Sequence, residues 1–289
     1  MSLKTYWWAP RHDRRALMSE VRHRKIAWAR MTAAGGVPFC NFGDELSRLA
    51  VAEVTGRGVR WSKIDEASLF GIGSILELYF NRGGTGMVWG SGLRVPQDFS
   101  GEVIPENFLA VRGHLTKDAL GLGDECVLGD PGLVAKSLFS SGRGRRSGVL
   151  VVPHFGVYGS GAGYQLVKSF KSQFMSVLPP STEVSELCRA IGSAEHLITS
   201  SLHGLVVGHA LGTPTSLVSF GSTTEPDHKY SDYMSVYGRS ASVHEVRLAL
   251  DKSGLAEMRS QAEDCQDDID GHIDGIVDSL FRAASQFRS

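Results

Sequence analysis

The chain has 289 residues, which is enough for one large domain or for two of about 140 residues each. Hydrophobic residues make up 42% and charged residues 21% of the chain, proportions that exclude a disordered or fibrous protein. Thirty lysines and arginines balance 31 acidic residues, for a net charge of −1. This balance excludes a generally basic nucleic-acid-binding protein, so we expect no nucleic-acid partner.

The cysteines are few and widely separated. They lie more than 60 residues apart and include no closely spaced pair: Cys40, Cys126, Cys188 and Cys265. A zinc site needs closely spaced pairs, and a secreted chain of this length usually carries more cysteines. The sequence also shows no signal peptide and no apolar run of about 18 residues. We therefore expect reduced thiols, no metal, and a cytoplasmic protein, either free or at the inner face of the membrane.

Short apolar runs recur along the chain, and several of them end in glycine- or serine-rich turns. They lie at residues 3–8, 69–72, 87–89, 108–111, 149–152 and 196–199. Continuous apolar runs of this length predict strands buried on both faces of a parallel sheet. Because they alternate with helical patterns, the predicted fold class is α/β.

A polar, glycine-rich stretch at residues 140–148 divides the chain near its middle. It predicts an N-terminal domain over 1–140 and a C-terminal domain over 147–260, with a cleft between them. Apolar residues at helical spacing between Ile269 and Phe281 predict a closing amphipathic helix over 261–289. Ligands of such sheets bind beyond the carboxyl ends of the strands, where these turns lie.

Residues 11–30 carry seven lysines or arginines and two acidic residues, a charge of about +5. One interpretation is a solvated helix or loop. The other is contact with an anionic substrate or with a membrane surface, that is, peripheral membrane association. The sequence leaves both open.

The turn around His203 is the most informative segment. A strand ends at Thr199, and residues 205–211 predict a buried helix with Ser200 or Ser201 as its N-cap. His203 then falls in the first turn, beside free backbone N–H groups and the positive end of the helix dipole, which together favour an anion. An imidazole there can bind phosphate or carboxylate, move a proton, or act only as a capping histidine.

A similar turn follows the strand at residues 108–111. Arg112 leaves the strand end, and Thr116 is placed to cap a helix that begins at Lys117. A guanidinium at this position matches carboxylate or phosphate, although a surface arginine is the simpler alternative.

Asn41 is a good N-cap for a helix whose first turn holds Asp44, and this structural role is sufficient; Asp44 as a base is the minority interpretation. The glycine turns 71–74 and 90–92 can present backbone N–H groups to an anion. The absence of GxGxxG and GxxxxGK[ST] excludes a dinucleotide fingerprint and a P-loop. The absence of GxSxG argues against a serine hydrolase.

Together these segments resemble the polysaccharide pyruvyltransferase family. In the first half the resemblance rests on NFGDELS at 41–47, GIGSIL at 71–76, WGSGL at 89–93, VRGHLT at 111–116 and LGDPGL at 128–133. In the second half it rests on VVPHF at 151–155, ITSSLHGLVVGHALGTP at 198–214 and HKYSDYMSVYGR at 228–239. The chain looks closest to the branch that ketalises bacterial exopolysaccharide repeat units.

The resemblance implies two Rossmann-like domains facing across a cleft, as in GT-B glycosyltransferases. It implies transfer of a pyruvyl group from phosphoenolpyruvate to a sugar or oligosaccharide acceptor, which can be lipid-linked, with a cyclic ketal and phosphate as products. Phosphoenolpyruvate is then the donor substrate, and no cofactor is expected. The chain departs from the family in its longer stretch before Asn41, whose role stays open.

The resemblance also assigns site residues. Those expected to bind phosphoenolpyruvate are Arg112, Ser200, Ser201, His203, Gly204 and Lys229. Those expected at the acceptor or in the turns are Asn41, Gly43, Gly73, Ser74, Gly90, Ser91 and Asp232. His203 is proposed as the acid or phosphate ligand, with His154 or Asp44 as base, and Arg112→Ala and His203→Ala are each expected to abolish transfer in a folded protein.

Two other functions remain as alternatives. A GT-B glycosyltransferase would use a nucleotide sugar, and Glu225 or Asp227 would then face the ribose. A non-catalytic glycan-binding protein of the same fold is the third possibility. His209 and His196 are expected to be core residues.

Overall fold

The computed structural model of the chain describes residues 2–140, 145–173, 175–221 and 225–288. The first half forms a six-stranded sheet: β1 (Leu3–Tyr6), β2 (Val59–Trp61), β3 (Leu69–Phe70), β4 (Met87–Trp89), β5 (Phe108–Val111) and β6 (Val127–Leu128). The strands lie in the order β2-β1-β3-β4-β5-β6, and neighbouring strands are parallel.

The second half forms a five-stranded parallel sheet in the order β11-β10-β9-β7-β8. Its strands are β7 (Val149–Val152), β8 (Ser176–Val177), β9 (His196–Thr199), β10 (Thr215–Ser219) and β11 (Val243–Glu245). Val152 pairs with Thr199 at the carboxyl ends of β7 and β9. The next residues meet there as well, because the N–H of His154 donates to Ser200 Oγ at 2.9 Å.

Helices connect these strands, which is the arrangement that parallel pairing requires. They are α1 (Arg14–Ala33), α2 (Phe42–Thr55), α3 (Leu76–Asn81), α4 (His114–Ala119), α5 (Ala135–Phe139), α6 (Phe155–Gly159), α7 (Gly161–Ser172), α8 (Val184–Ser193), α9 (Leu202–Ala210), α10 (His228–Ser235) and α11 (Lys252–Ala283). The two sheets confirm the predicted α/β class with two Rossmann-like halves.

The largest apolar core joins the two halves. Leu46 of α2 and Trp89 of β4 belong to the same buried cluster as Leu205 of α9 and Ile269 of α11. Burial of this shared surface holds the halves together. The cleft is therefore confined to the carboxyl ends of the strands.

The longer stretch before Asn41 forms α1, which packs on the second half although it precedes most of the first sheet. Trp28 and Met31 of α1 lie in one buried cluster with Val151 of β7 and Tyr158 of α6. Arg30 also donates through Nη1 to the carbonyl of Tyr158 at 2.8 Å. The insertion thus completes the core of the second sheet.

The closing helix α11 starts in the second half and extends to the first sheet. It begins at Lys252, earlier than the predicted residue 261, because Asp251 caps it by accepting the N–H groups of Ser253 and Gly254. Near its other end the carbonyl of Leu280 accepts the indole N–H of Trp89 at 2.9 Å. The helix therefore spans both halves.

Residues 141–144, at the centre of the predicted domain boundary, lie outside the described residues, and the boundaries stay a prediction. Among the described residues, no helix has the length and apolar character needed to cross a membrane. The described part of the chain likewise holds no group of three His, Cys, Asp or Glu side chains arranged for a metal ion.

Candidate active site

A cavity of about 410 Å³ lies where the carboxyl ends of the two sheets meet. Its wall includes Trp8, Asn41, Asp44, Ser74 and Arg94 from the first half, and His154, Phe155, Ser201, His203, Glu225 and Lys229 from the second. Side chains from both halves thus converge on one volume large enough for a small ligand.

A second cavity, of about 310 Å³, is lined entirely from the second half, between α9, β10 and α11. Arg239 on its wall is paired with Asp268. Because it lies away from the carboxyl ends of the strands and draws on one half only, we place the active site in the first cavity.

His203 lies in the first turn of α9, and its position depends on close packing against α2. Phe42 contacts the imidazole edge-on, with the ring centroids 6.4 Å apart. A Cβ on Gly43 would lie 2.0 Å from the imidazole, so only glycine fits there. Ser201 occupies the predicted N-cap position, but its hydroxyl makes no capping hydrogen bond.

The electrostatics around His203 favour the neutral imidazole. Burial lowers its pKa to about 3, with Lys229, Arg112 and His154 contributing. The Nε2 atom is buried and has no hydrogen-bond partner among the described residues. Since a buried polar atom without a partner is unfavourable, this nitrogen is suited to a ligand.

Asp44 faces the same cavity from the first turn of α2. Burial and the neighbouring Glu45 raise its pKa well above the ordinary value, and Lys229 opposes that shift. A carboxyl in this environment holds its proton to a higher pH than an exposed aspartate does. The geometry therefore favours Asp44 as a proton donor, whereas the sequence proposes it as a base.

His154 is held by local hydrogen bonds at the N-terminus of α6. Its Nδ1 accepts the N–H of Gly156 at 3.3 Å, so Nε2 carries the proton of the neutral ring. Burial lowers its pKa to about 3, with Lys229 contributing. With Nδ1 occupied, His154 is a hydrogen-bond donor to the cavity rather than the base proposed from the sequence.

Arg112 lies behind the cavity wall and is not among the described residues that line it. Its guanidinium is fully buried and pairs with Asp232 at 2.9 Å. Nη1 also donates to Ser74 Oγ at 2.6 Å, and Nη2 donates to the carbonyl of Leu93. The structure therefore corrects the predicted site: Arg112 lies outside the cavity lining and does not contact a ligand there, because a buried charge keeps its partners.

Thr116 has a different role from the predicted one. It lies inside α4, which begins at His114, so it is not the N-cap. Its N–H and hydroxyl donate to the two carboxylate oxygens of Asp232 at 2.8 and 2.7 Å. Gly113 allows this approach, since a Cβ there would lie 1.8 Å from the carbonyl oxygen of Asp232. Asp232 thus joins α10 to the first half.

The glycine-rich turns shape the wall without all reaching the cavity. Gly73 has φ of 123°, in the left-handed region, and a Cβ there would lie 3.3 Å from Asp44 Oδ1. The turn at Gly90 is fixed by Ser91, whose buried hydroxyl donates to the carbonyl of Gly71. Among the residues predicted in these two turns, the structure places Ser74 on the cavity wall.

The remaining predicted residues divide in the same way. Asn41 lines the cavity and caps α2, accepting the N–H of Gly43 at 3.2 Å. Ser200 lies behind the wall and accepts the N–H of His154. Gly204 packs so closely on Thr199 that a Cβ would lie 2.3 Å from its hydroxyl oxygen. These positions support the wall.

Several wall residues were not singled out by the sequence as donor or acceptor contacts. Trp8 and Phe155 stack with ring centroids 6.4 Å apart, and the Arg24 guanidinium lies 4.9 Å from the Phe155 ring centroid. Arg94 pairs with Glu225 at 3.0 Å. Trp8, Phe155 and Arg94 each follow a strand end, which is the signal that could have identified them.

The family model described as polysaccharide pyruvyl transferase matches residues 41–222. An uncharacterized protein of Acanthamoeba polyphaga mimivirus is 26% identical over 135 residues, which are 45% of this chain and 46% of that protein. The chain therefore spans about half the length of that relative.

Among solved structures, the glycosyltransferase SnogD from Streptomyces nogalater is similar over 72% of this chain and 61% of its own. The sequences are 13% identical and the TM-score is 0.27, so the fold assignment depends on the two parallel sheets themselves. The family model covers more than half of the chain and includes the turns that carry Asp44, His154 and His203. The chain belongs to the polysaccharide pyruvyl transferase family.

Proposed function

We propose that the protein transfers a pyruvyl group from phosphoenolpyruvate to a sugar of an exopolysaccharide or cell-surface glycan precursor, forming a cyclic ketal and releasing phosphate. The observation that carries this proposal is the cavity that collects Lys229 and Arg94, a neutral imidazole at His203 and a proton-holding carboxyl at Asp44. Phosphoenolpyruvate carries about three negative charges, which cations in a partly dry cavity stabilise.

The reaction needs one proton delivered to carbon and two removed from hydroxyl groups. Protonation of the donor's methylene carbon places positive charge on its second carbon, which one sugar hydroxyl attacks as it loses its proton. The bond from that carbon to the phosphate oxygen then breaks. Attack by a second hydroxyl closes the ketal, and its proton accompanies the released phosphate, so that the protons balance.

The residue roles follow from the protonation states. Asp44 supplies the proton for carbon, because its raised pKa keeps a proton available. His203 accepts a hydroxyl proton through Nε2, which has no partner among the described residues. The negative charge of a bound donor raises the pKa of this imidazole and makes it a stronger base than it is in the empty cavity.

The aromatic side of the cavity suits a sugar acceptor. Trp8 and Phe155 are half-buried and stack nearly parallel, at 22°. Flat aromatic faces pack against the apolar C–H face of a sugar ring while its hydroxyls remain free to react. The aromatic pair therefore supports an acceptor on this side and a donor on the side of Lys229.

Helix α1 supports a lipid-linked acceptor at a membrane surface. Met18, Val21 and Ile26 are 65%, 46% and 53% exposed on a strongly basic helix, and Arg24 of the same helix lines the cavity. Exposed apolar side chains among cations fit an anionic lipid surface. Replacing the three apolar residues with serine should reduce sedimentation with phosphatidylglycerol vesicles, and unchanged sedimentation would contradict this part of the proposal.

The test of the reaction is phosphate release. Phosphate should form when the protein is incubated with phosphoenolpyruvate and a glycan acceptor together, and mass spectrometry of the acceptor should show the added pyruvyl group. A thermal shift with UDP or GDP, and none with phosphoenolpyruvate, would instead indicate a nucleotide-sugar glycosyltransferase. Acceptor binding without turnover of any donor would indicate a glycan-binding protein.

A further inference from the structure

Three nitrogen-bearing side chains of the cavity converge on one carboxylate of the protein itself. Lys229 Nζ lies 2.5 Å from Glu225 Oε2. Arg94 Nη2 and His154 Nε2 lie 3.0 and 3.7 Å from Glu225 Oε1. Both carboxylate oxygens thus face donors, in the arrangement by which proteins bind an anionic ligand.

We propose that Lys229, Arg94 and His154 form the subsite for the dianionic phosphate group of the donor, and that Glu225 occupies this subsite until the donor displaces it. The inference rests on the proposed function, which supplies a donor of this charge. It assigns to Glu225 the role of an internal competitor that sets the threshold for anion binding.

The burial of Lys229 explains why an internal anion is present. Its side chain is 8% exposed, and a buried ammonium without a counterion is strongly unfavourable. Asp232 on the same helix is not that counterion, because its carboxylate is already bound by Arg112 and Thr116. Glu225, which precedes the helix, is the carboxylate that pairs with Lys229.

Arg94 is held in a way that leaves its guanidinium available. Its backbone N–H and that of Val95 donate to Glu77 Oε1 at 2.5 and 3.2 Å. The backbone is therefore fixed from behind, while the side chain is 50% exposed and pairs with Glu225. A phosphate group that takes the place of this carboxylate would keep every cation partnered.

Charge makes the subsite selective. A phosphate dianion placed beside the Glu225 carboxylate would be repelled, so the two cannot share the subsite and one of them must leave. A monoanion such as pyruvate gains no more from the cations than Glu225 already provides. A phosphate dianion gains more, because it offers additional charge and acceptor oxygens. The subsite therefore favours phosphoenolpyruvate over pyruvate.

The test is Glu225→Gln, which keeps the size of the side chain and removes its charge. Isothermal titration at constant ionic strength should show inorganic phosphate and phosphoenolpyruvate binding about tenfold more tightly to the variant than to the wild type. Pyruvate should gain affinity by a similar factor, because removal of an internal competitor raises the apparent affinity of every anion that must displace it. Unchanged or weaker phosphate binding would overturn the inference and make Glu225 a support for Lys229.

Two variants serve as controls. Glu195→Gln removes a carboxylate that pairs with Arg259 on the outer surface at 3.3 Å, and it should leave phosphate affinity unchanged. Glu225→Asp retains the charge on a shorter side chain and should bind phosphate with intermediate affinity, even if Glu225→Gln proves poorly folded. The proposed competition between Glu225 and the donor is contradicted if both variants fold and both bind phosphate with wild-type affinity.

The outcomes separate this inference from the proposed function. Tighter phosphate binding in Glu225→Gln without pyruvyl transfer in the wild type would support the subsite and reject the reaction. Transfer from phosphoenolpyruvate in the wild type without any gain in Glu225→Gln would support the reaction and reject the competition.

Discussion

Helix α10 carries one member of each of two cation–carboxylate pairs that differ in their access to the cavity. Asp232 pairs with Arg112, and both side chains are 0% exposed. Lys229 pairs with Glu225, and these side chains are 8% and 16% exposed. The first pair is enclosed by further hydrogen bonds, in which Arg112 donates to Ser74 and Thr116 donates to Asp232, whereas the second pair faces the cavity.

The comparison separates holding the fold from binding a ligand. A fully buried pair is tolerated only when every polar atom is satisfied, so it has no capacity left for a substrate. A pair at the cavity wall can exchange its internal carboxylate for an external anion. Arg112, which the sequence predicts to bind the donor, therefore stabilises the fold instead.

The largest expected effect is the loss of unfolding free energy in acid. It tests the cavity histidines His154 and His203 together with the enclosed His209. Burial lowers the pKa of His154, His203 and His209 to about 3. The unfolded chain takes up protons first, so stability is fully present above about pH 6.5 and is lost as the pH falls towards 3, by up to about 1.4 kcal/mol per pH unit for each histidine.

Urea unfolding between pH 7 and 4 measures this loss, and added phosphate sharpens the comparison. An anion in the cavity should raise the pKa of His154 and His203 and weaken the acid dependence. It should leave the contribution of the enclosed His209, which bonds the hydroxyl of Tyr233 at 3.0 Å, unchanged.

Asp44 and Asp130 have raised pKa values and oppose this loss of stability in the acid part of the range, so the histidine contribution is measured as the difference between the wild type and His209→Gln. An equal pH dependence in the two proteins would contradict the burial of this imidazole.

Breaking the enclosed pair should cost about 3–5 kcal/mol of unfolding free energy. In Arg112→Met the carboxylate of Asp232 stays buried without its cation, which is strongly unfavourable. Urea unfolding gives the value. Arg259→Met is the matched control, because that arginine is 42% exposed and its surface pairs contribute about 1 kcal/mol or less. Equal losses in the two variants would remove the structural role assigned to Arg112.

Breaking the open pair should affect ligand binding more than stability. We expect Lys229→Met to lower the unfolding free energy by about 1 kcal/mol, since Glu225 retains Arg94, and to weaken phosphoenolpyruvate binding by about 10- to 100-fold. Isothermal titration measures the affinity.

Lys229 Nζ lies 4.9 Å from the centroid of the Tyr230 ring. Lys168→Met is therefore the control, because Lys168 lies over a tyrosine ring in the same way, 5.1 Å from the centroid of Tyr164, but outside the cavity. Wild-type affinity in Lys229→Met would exclude Lys229 from the subsite.

The last variant tests the packing of the cavity wall. Gly43→Ala should cost about 1–3 kcal/mol and displace the imidazole of His203, because the new methyl group overlaps the ring. The rate of pyruvyl transfer should fall even at temperatures at which the variant remains folded. Gly271→Ala in α11, where a Cβ meets nothing within 4 Å, should instead stabilise the protein by about 0.5–1 kcal/mol. Full activity in Gly43→Ala would mean that His203 need not hold its position.

Local sequence was sufficient wherever one segment determines its own structure. The apolar runs predicted β1, β3, β4, β5, β7 and β9, but not β2, β6, β8, β10 or β11. Asn41 and Gly56 cap the two ends of α2, with Gly56 at φ of 67°. The position of His203 in the first turn of a buried helix was predicted from the same kind of signal. These features depend on neighbours within a few residues.

Local sequence was insufficient where a partner lies far along the chain. Arg112 and Asp232 are 120 residues apart, and nothing beside Arg112 indicates a buried carboxylate. The start of α11 was missed because apolar residues are sparse in its first turns, where Met258 and Ala262 are buried. Likewise, no local pattern indicates that α1 packs on the second sheet.

The placement of α1 has a consequence for synthesis of the chain on the ribosome. Trp28 and Met31 emerge early, but the residues that bury them, from Val151 to Met258, are made only after the whole first sheet. A nascent chain therefore presents an unmatched aromatic surface for most of its elongation, as proteins with distant native contacts do. Expression at lower temperature or with chaperones should raise the soluble yield, whereas the second half produced alone would lack part of its own interior.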